Sequence, residues 1–320
     1  MLLGIEIGGT KLQLGVGDGV SGKLAALERA KVVPAEGAQG ILQQIRRLAV
    51  PLIAKHYVQA IGIGFGGPVD SDRGIILKSH HVAGWDGFPL VQWCRETLGL
   101  PAALANDSDM AGLGEARCGA GRGKRVVFYS NVGTGIGGAF VVDGRVYVGG
   151  QGVASELGHL RPGVRAARPE NTVEAAAGGW AIAAAARANL SLAAKLAQKF
   201  TLPPEEITAK MLAEVAASGD PAARRIFRRA VRFYAWAIAQ MITLLAPERV
   251  VIGGGVPLAG EKLFFAPLRR DIQRYVFPPL KDAFDLVPAE LGEEVVLHGA
   301  LALAHTLFAG GRLADLFFPR

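Results

Sequence analysis

The sequence predicts a two-domain α/β protein, and three observations carry that reading. The chain has 320 residues, enough for two domains that each bury a core. Half of the residues are hydrophobic and a fifth are charged, the balance of a globular chain. Short apolar runs ending in glycine alternate with longer stretches of helical periodicity, and one strand–glycine–strand device occurs twice, about a domain apart.

The elements follow in order. Residues 2–7 form an apolar run stopped by Gly8-Gly9-Thr10; Leu12, Leu14 and Val16 then alternate with small or polar residues until Gly17-Asp18-Gly19 turns the chain. That is a β-hairpin, not a strand feeding a helix. A helix is expected over 41–54, kinked near Pro51, and a strand over 60–65 closed by Gly66-Gly67-Pro68. Asp86 reads as the N-cap of a second helix with Pro89 in its first turn and Gly99 at its end. The strand 102–105 delivers Asn106 and Asp107 at its carboxyl end, and the run 119–124 (GAGRGK) is the expected hinge between domains. Beyond it, strand 126–130, the turn from Gly133 to Gly138 and the returning strand 139–142 repeat the opening device. Helices are expected over 172–196 and 221–245, and a buried strand over 249–252 precedes Gly253-Gly254-Gly255.

The net charge is +7. Such an excess suits nucleic acid, a nucleotide or phosphate substrate, or solubility alone. Arg224, Arg225, Arg228, Arg229 and Arg232 read as a solvated helix face, opposite an apolar stripe of Phe227, Val231, Tyr234, Ile238, Met241 and Leu245. Cys94 and Cys118 lack CxxC spacing and read as reduced thiols. The N-terminus has no basic n-region and carries Glu6 within its apolar run, unlike a signal peptide. The apolar stretches 175–186 and 233–246 fall short of the roughly 20 residues a membrane helix needs. A soluble, cytoplasmic protein with no membrane partner is the expectation.

Glycine-rich turns bind phosphates because bare backbone N–H groups approach the oxygens unhindered. Residues 62–67 and 133–138 both satisfy G-x-G-x-x-G, yet neither opens a helix as a dinucleotide fingerprint must. Residues 17–23 have Walker spacing, but Leu24 stands where Ser or Thr would hold magnesium. What remains is two hairpins with Gly-Gly-Thr and Gly-Thr-Gly tips and a third glycine cluster after a buried strand. Two such tips facing one another suit the β- and γ-phosphates of ATP, and the Gly253–Gly255 turn suits adenosine lying against backbone.

With these motifs the chain resembles the ROK family of sugar kinases and repressors. GIEIGGTK (4–11) and GTGIGG (133–138) are similar to its two phosphate motifs, GIGFGGPVD (62–70) to its next block, and GWDGFPL (84–90) and AND (105–107) to its substrate-side blocks. SELGH (155–159) and VEAAAGG (173–179) resemble its sugar-binding segments, and VVIGGG (250–255) its adenosine turn. The resemblance implies a two-domain actin-like (ribonuclease H-like) ATPase fold with a central cleft that binds sugar and ATP. It implies an ATP-dependent kinase for a hexose, glucose first, with Asp107 as general base. As residues alone, Asn106-Asp107 fits a turn or N-cap equally well.

The resemblance further implies sugar contacts from Gly67, His81, Asn106, Asp107, Glu156, His159 and Glu174. ATP contacts are implied for Glu6, Gly8, Gly9, Thr10, Lys11, Gly133, Thr134, Gly135, Gly254 and Gly255. Glu6 stands where the family has Asp near Mg²⁺, so a contact through water is expected. The family's cysteine-rich zinc motif is replaced by VRAARPENT (164–172), so no structural zinc is expected, and His81 falls where a sugar-contacting Asn is usual. Domains are expected at 1–117 with 305–320, and at 118–304, in a homodimer. A fructose or N-acetylhexosamine kinase is the alternative within enzymes. A non-catalytic sugar-binding protein is disfavoured by Asp107 with both hairpins. A DNA-binding repressor is disfavoured because the first strand begins at Leu2, with no helix-turn-helix before it.

Overall fold

The computed structural model describes residues 1–79 and 82–319. In chain order the elements are β1 (Leu2–Ile7), β2 (Lys11–Gly17), β3 (Leu24–Lys31), α1 (Gly37–His56), β4 (Ile61–Phe65), β5 (Val69–Asp70), β6 (Ile75–Ile76), α2 (Leu90–Leu98), β7 (Ala102–Asn106) and α3 (Asp107–Cys118). There follow β8 (Val126–Val132), β9 (Ile136–Val142), β10 (Arg145–Tyr147), α4 (Glu174–Ala177), α5 (Gly179–Ala188), α6 (Leu190–Phe200), α7 (Ala209–Ala217) and α8 (Pro221–Leu245). The chain closes with β11 (Arg249–Gly253), α9 (Ala266–Ile272), β12 (Asp285–Pro288), α10 (Val295–Phe308) and β13 (Phe317–Phe318). Two compact units result. The first holds Met1–Tyr129, Ala139–Ala154 and Ala289–Arg320, and the second Ser130–Gly138 and Ser155–Pro288.

The first unit is built on a five-stranded sheet of order β3-β2-β1-β4-β7. β1 pairs antiparallel with β2 and parallel with β4, and β4 pairs parallel with β7. Every residue of β1 and β4 is buried, as expected of strands covered on both faces. Alternation sorts their side chains. Leu3, Ile5 and Ile7 join a core with Ile41, Ile45 and Ala49 of α1, and Leu2 packs against Leu301 and Ala304 of α10. Gly62 lets α10 lie directly on the sheet, since a Cβ there would collide with the Ala300 carbonyl. Trp85 is buried against Phe65 and Phe88 in edge-on contacts of 5.5 and 5.3 Å.

The second unit is mostly helical. α8 opens on Pro221 after the N-cap Asp220, whose carboxylate accepts from the amides of Ala222 and Ala223. Phe227, Val231, Tyr234 and Ile238 are buried, whereas Met241 and Leu245 are only half-buried and Ile242 takes the inner position. The five arginines of α8 are exposed, the solvated face the sequence predicts. Tyr234 donates to Ser130 Oγ at 2.8 Å, and that hydroxyl donates to the Gly137 carbonyl at 2.9 Å. β11 and β12 pair in parallel.

Several boundaries differ from the expected ones. α2 begins at Leu90, not Asp86, because the Phe88 carbonyl accepts from Ile76 N–H and Gly87 is left-handed, which keeps 86–88 in a turn. The helix expected over 172–196 is three: Gly178 is extended, and Asn189 caps a new helix through Leu192 N–H. The run 119–124 is no division between the units. It lies inside the first, with the Ala120 amide donating to buried Glu115, and the division falls within β8 and β9. All of α10 belongs to the first unit because its apolar surface packs on β1 and β4. Both cysteines are free thiols. Among the described residues no helix is long and apolar enough to cross a membrane.

Candidate active site

In the first unit the parallel strands end level. Ile7 of β1 pairs with Phe65 of β4, and Phe65 with Asn106 of β7, so three turns start from one edge of the sheet. Carboxyl ends of parallel strands are where ligands bind in such sheets. Asn106 caps α3, its Oδ1 accepting from the Ser108 and Asp109 amides at 2.9 and 3.3 Å. Its Nδ2 donates to the Gly67 carbonyl at 3.1 Å, which ties the cap to the turn after β4. Asp107 therefore sits in the first turn of α3, with Oδ1 accepting from Ser108 N–H at 2.8 Å. Its other oxygen lies against Gly66, 3.2 Å from where a Cβ would stand there. Desolvation, with a smaller push from the Glu6 charge, raises Asp107 to about 6.

Glu6 is buried at the end of β1. Lys11 Nζ lies 3.1 Å from its Oε1, and Gln13 Nε2 donates to its Oε2 at 2.8 Å. Burial raises the Glu6 pKa, and Lys11 offsets part of that rise. Lys11 and Gln13 also donate to the Glu293 carbonyl, at 3.2 and 2.8 Å. The Gly8-Gly9-Thr10 tip between these groups closes with Gly8 N–H donating to the Lys11 carbonyl at 3.0 Å. The donor set fits Mg²⁺ held through water: both Glu6 oxygens are already engaged, and Asp107 lies near enough to feel the Glu6 charge. Among the described residues no group of three or more His, Cys, Asp or Glu forms a metal-holding cluster.

In the second unit the Gly133-Thr134-Gly135 tip closes through a Gly133 N–H to Gly135 carbonyl bond of 2.9 Å. Glu174 braces it, with Oε2 accepting from Ile136 N–H at 2.7 Å and a Gly135 Cβ standing 2.5 Å from that oxygen. The amides of Gly179 and Trp180 donate to the carbonyls of Gly133 and Thr134 at 3.0 and 3.2 Å. Glu174 Oε1 also accepts from Trp180 Nε1 at 3.4 Å. The Glu156–His159 turn abuts the same hairpin, because Gly158 packs on the Ile136 carbonyl. Glu156 and His159 lie 3.9 Å apart, with side chains 56% and 71% exposed. Desolvation raises Glu156, His159 opposes it and Glu174 adds to it, though solvent mutes all three at that exposure.

A cavity of about 820 Å³ opens beside this tip, lined by Gly133, Thr134, Trp180, Arg187, Lys210 and Gly255 among others. That volume is typical of small-molecule sites. Gly254, at φ 93°, sits against the Val132 backbone where any Cβ would collide, and Gly255 faces open space. The first unit thus gathers Glu6, Gly8, Gly9, Thr10, Lys11, Gly67, Asn106 and Asp107. The second gathers Gly133, Thr134, Gly135, Glu156, His159, Glu174, Gly254 and Gly255. His81 lies outside the described residues.

Sequence reasoning missed Gln13, whose alternation with Leu12 and Leu14 reads as a solvent-facing strand position although it is buried under Glu6 and Arg29. It also missed Trp180, 46% exposed at the cavity, which reads in sequence as a helix residue of the core.

Residues 2–307 match the model of the ROK family. The glucokinase of Thermotoga maritima is 30% identical over 319 residues, covering 97% of this chain and 98% of that one. The bifunctional enzyme NanE/NanK of Brucella melitensis is 32% identical over 313 residues, covering 96% of this chain and 54% of its own length. The ROK family glucokinase of Streptomyces griseus, solved with glucose and AMPPNP, is 30% identical with a TM-score of 0.81, covering 95% of this chain and 99% of that one.

Proposed function

The chain belongs to the ROK family and is a sugar kinase of the actin-like ATPase fold, and we propose that it transfers the γ-phosphate of ATP to glucose with Asp107 as general base. The observation that carries the reading is the Asp107 carboxylate. It stands at the carboxyl edge of three parallel strands, between the Gly66 turn and the Glu6–Lys11 pair, and is held at about 6. A base with that pKa is ionised at neutral pH yet basic enough to accept a proton from a sugar hydroxyl as it attacks phosphorus. Phosphoryl transfer has a loose transition state, so the remaining work is positioning and charge neutralisation.

The amides of Gly9 and Thr10 in the first tip and of Thr134 and Gly135 in the second, with Lys11, are assigned to the phosphates, and Gly8 and Gly133 close the two turns that present them. The cavity beside Gly133 and Gly255 is assigned to adenosine, where the exposed Trp180 indole offers an apolar face. Mg²⁺, when bound with ATP, supplies positive charge at the transferring phosphoryl group, and Glu6 would hold it through water. Asn106 positions Asp107 and, with Gly67, Glu156 and His159, is assigned to the sugar hydroxyls. Glu174 is assigned to the same sugar through the carboxylate that braces the second tip. The likeness to glucokinases supports glucose, and the likeness to NanE/NanK keeps N-acetylated sugars among the substrates to test.

The test is sugar-dependent ADP release with Mg-ATP across glucose, fructose, mannose and N-acetylhexosamines, with Asp107→Asn in parallel. Glucose is expected to give the highest kcat/KM, and the variant to lose turnover while still binding sugar. A preference for another sugar would replace glucose and leave the kinase. Full turnover by Asp107→Asn would remove the base.

A further inference from the structure

A second cavity, of about 300 Å³, lies in the first unit away from every residue assigned to catalysis. Its walls come from the turn between β5 and β6, from α2, from Ala102 and Ala103 at the start of β7, and from the end of α10 with the segment after it. β7 carries Asn106 and Asp107 at its other end, roughly 13 Å away for four steps of a strand. The cavity therefore opens at the amino-terminal edge of β7, where the proposed reaction has no use for it.

Three arginines line this cavity, Arg73, Arg95 and Arg312, and Asp72 is the one carboxylate-bearing residue in the lining. Each arginine comes from a different element: the β5–β6 turn, α2 and the segment after α10. Arg95 and Arg312 make no side-chain ion pair among the described residues, and Arg73 reaches only Asp70, at 4.0 Å. The backbone fixes the walls that carry them. Gly74, at φ 66°, lets its turn close on α2, where any Cβ would run into Val91, and Val91 N–H donates to the Gly74 carbonyl at 3.2 Å. Arg312 is fixed by its own amide, which donates to the Asp315 carboxylate at 2.7 Å. Ser71 and Thr306 add to the polar part of the lining.

We infer that this cavity is a binding site for a phosphate monoester. Among the lining residues three arginines stand against one carboxylate, with Asp70 beside Arg73 and Asp315 on the Arg312 amide just outside them. Guanidinium forks match phosphate oxygens geometrically as well as electrostatically. The apolar part of the wall, Val91, Leu303 and Leu307, suits the carbon skeleton of a small ester. Nothing in this inference depends on which sugar is phosphorylated or on Asp107.

The experiment is calorimetric titration of the full-length protein with glycerol 3-phosphate, inorganic phosphate and uncharged glycerol, repeated on the double variant Arg95→Gln/Arg312→Gln. All three arginines are exposed, so the variant is expected to keep the wild-type melting temperature and sugar-kinase rate. Glycerol 3-phosphate should bind saturably, glycerol should not, and the double variant should bind at least about tenfold more weakly, as loss of charge-assisted bonds implies. Tighter binding of the ester than of inorganic phosphate identifies a metabolite site, and equal binding a site for the phosphate group itself; both uphold the inference. No saturable binding of either anion, or equal affinity in the double variant, overturns it. Should the double variant melt early, Arg73→Gln tested alone carries the same expectation of weaker binding.

Discussion

The two glycine-tipped hairpins share a turn chemistry and differ in what holds it. The Gly8-Gly9-Thr10 tip is flanked by its own charges, with Glu6 before it and Lys11 after it, paired at 3.1 Å over a buried glutamine. The Gly133-Thr134-Gly135 tip carries no charge of its own. It is stiffened from outside by the start of a helix, through the Glu174 carboxylate and the amides of Gly179 and Trp180. In the proposed site the first turn would bring charge to the phosphates, and the second would bring backbone N–H groups held in place from outside. Residues of one type are kept for different reasons, and substitutions separate those reasons.

The largest effect belongs to the first unit. Asp107→Asn should lower kcat about a thousandfold, within the range of general-base catalysis, and leave sugar affinity within a few-fold. The same variant should be the more stable protein at alkaline pH. Asp107 is raised from 3.8 to about 6 on folding, so the folded chain holds a proton there that the unfolded chain has lost. That contribution is complete below 3.8 and gone once pH has risen through about 6, and an asparagine has no such term. Melting curves at pH 8 should place the variant above wild type, with the gap closing towards pH 4.

In the second unit, Gly254→Ala should destabilise by about 2–3 kcal/mol, because it meets both a left-handed φ and the Val132 backbone. Denaturant midpoints check this, and an unchanged midpoint would show the turn able to shift. Glu174→Ala should cost about 1–2 kcal/mol by stranding the Ile136 amide, whereas Glu174→Gln keeps an acceptor and should cost less. If the Gln variant keeps its stability but raises KM for sugar, Glu174 touches sugar as well as the tip. Gly133→Ala sharpens the contrast. No atom lies within 4 Å of the added methyl, so stability should stay within about 0.5 kcal/mol while KM for ATP rises about tenfold.

Much of this was legible in the sequence because the signals are local. The hairpins, the helix 221–245 and the strand ending at Asn106-Asp107 are written in alternation, in 3.6-residue periodicity and in glycine. The N-cap reading of Asn106-Asp107 falls to Asn106, which caps α3 and fixes Asp107 in its first turn. The illegible parts depend on contacts distant in sequence. The run 119–124 looks like a hinge because it is glycine-rich, yet a carboxylate, Glu115, pins it and also accepts from the Glu290 and Leu291 amides. Gln13 and Trp180 acquire meaning only from their neighbours in space. The division within β8 and β9 left no mark in composition.

The most direct measurement is the pH dependence of kcat/KM for glucose phosphorylation by Mg-ATP, which reports the ionisation of the free enzyme's base. The rate should rise with pH through a midpoint near 6, the value to which burial raises Asp107, and Asp107→Asn should lose that limb together with its activity. A rate independent of pH between 5 and 8, or the same midpoint persisting in the residual activity of Asp107→Asn, would contradict this expectation.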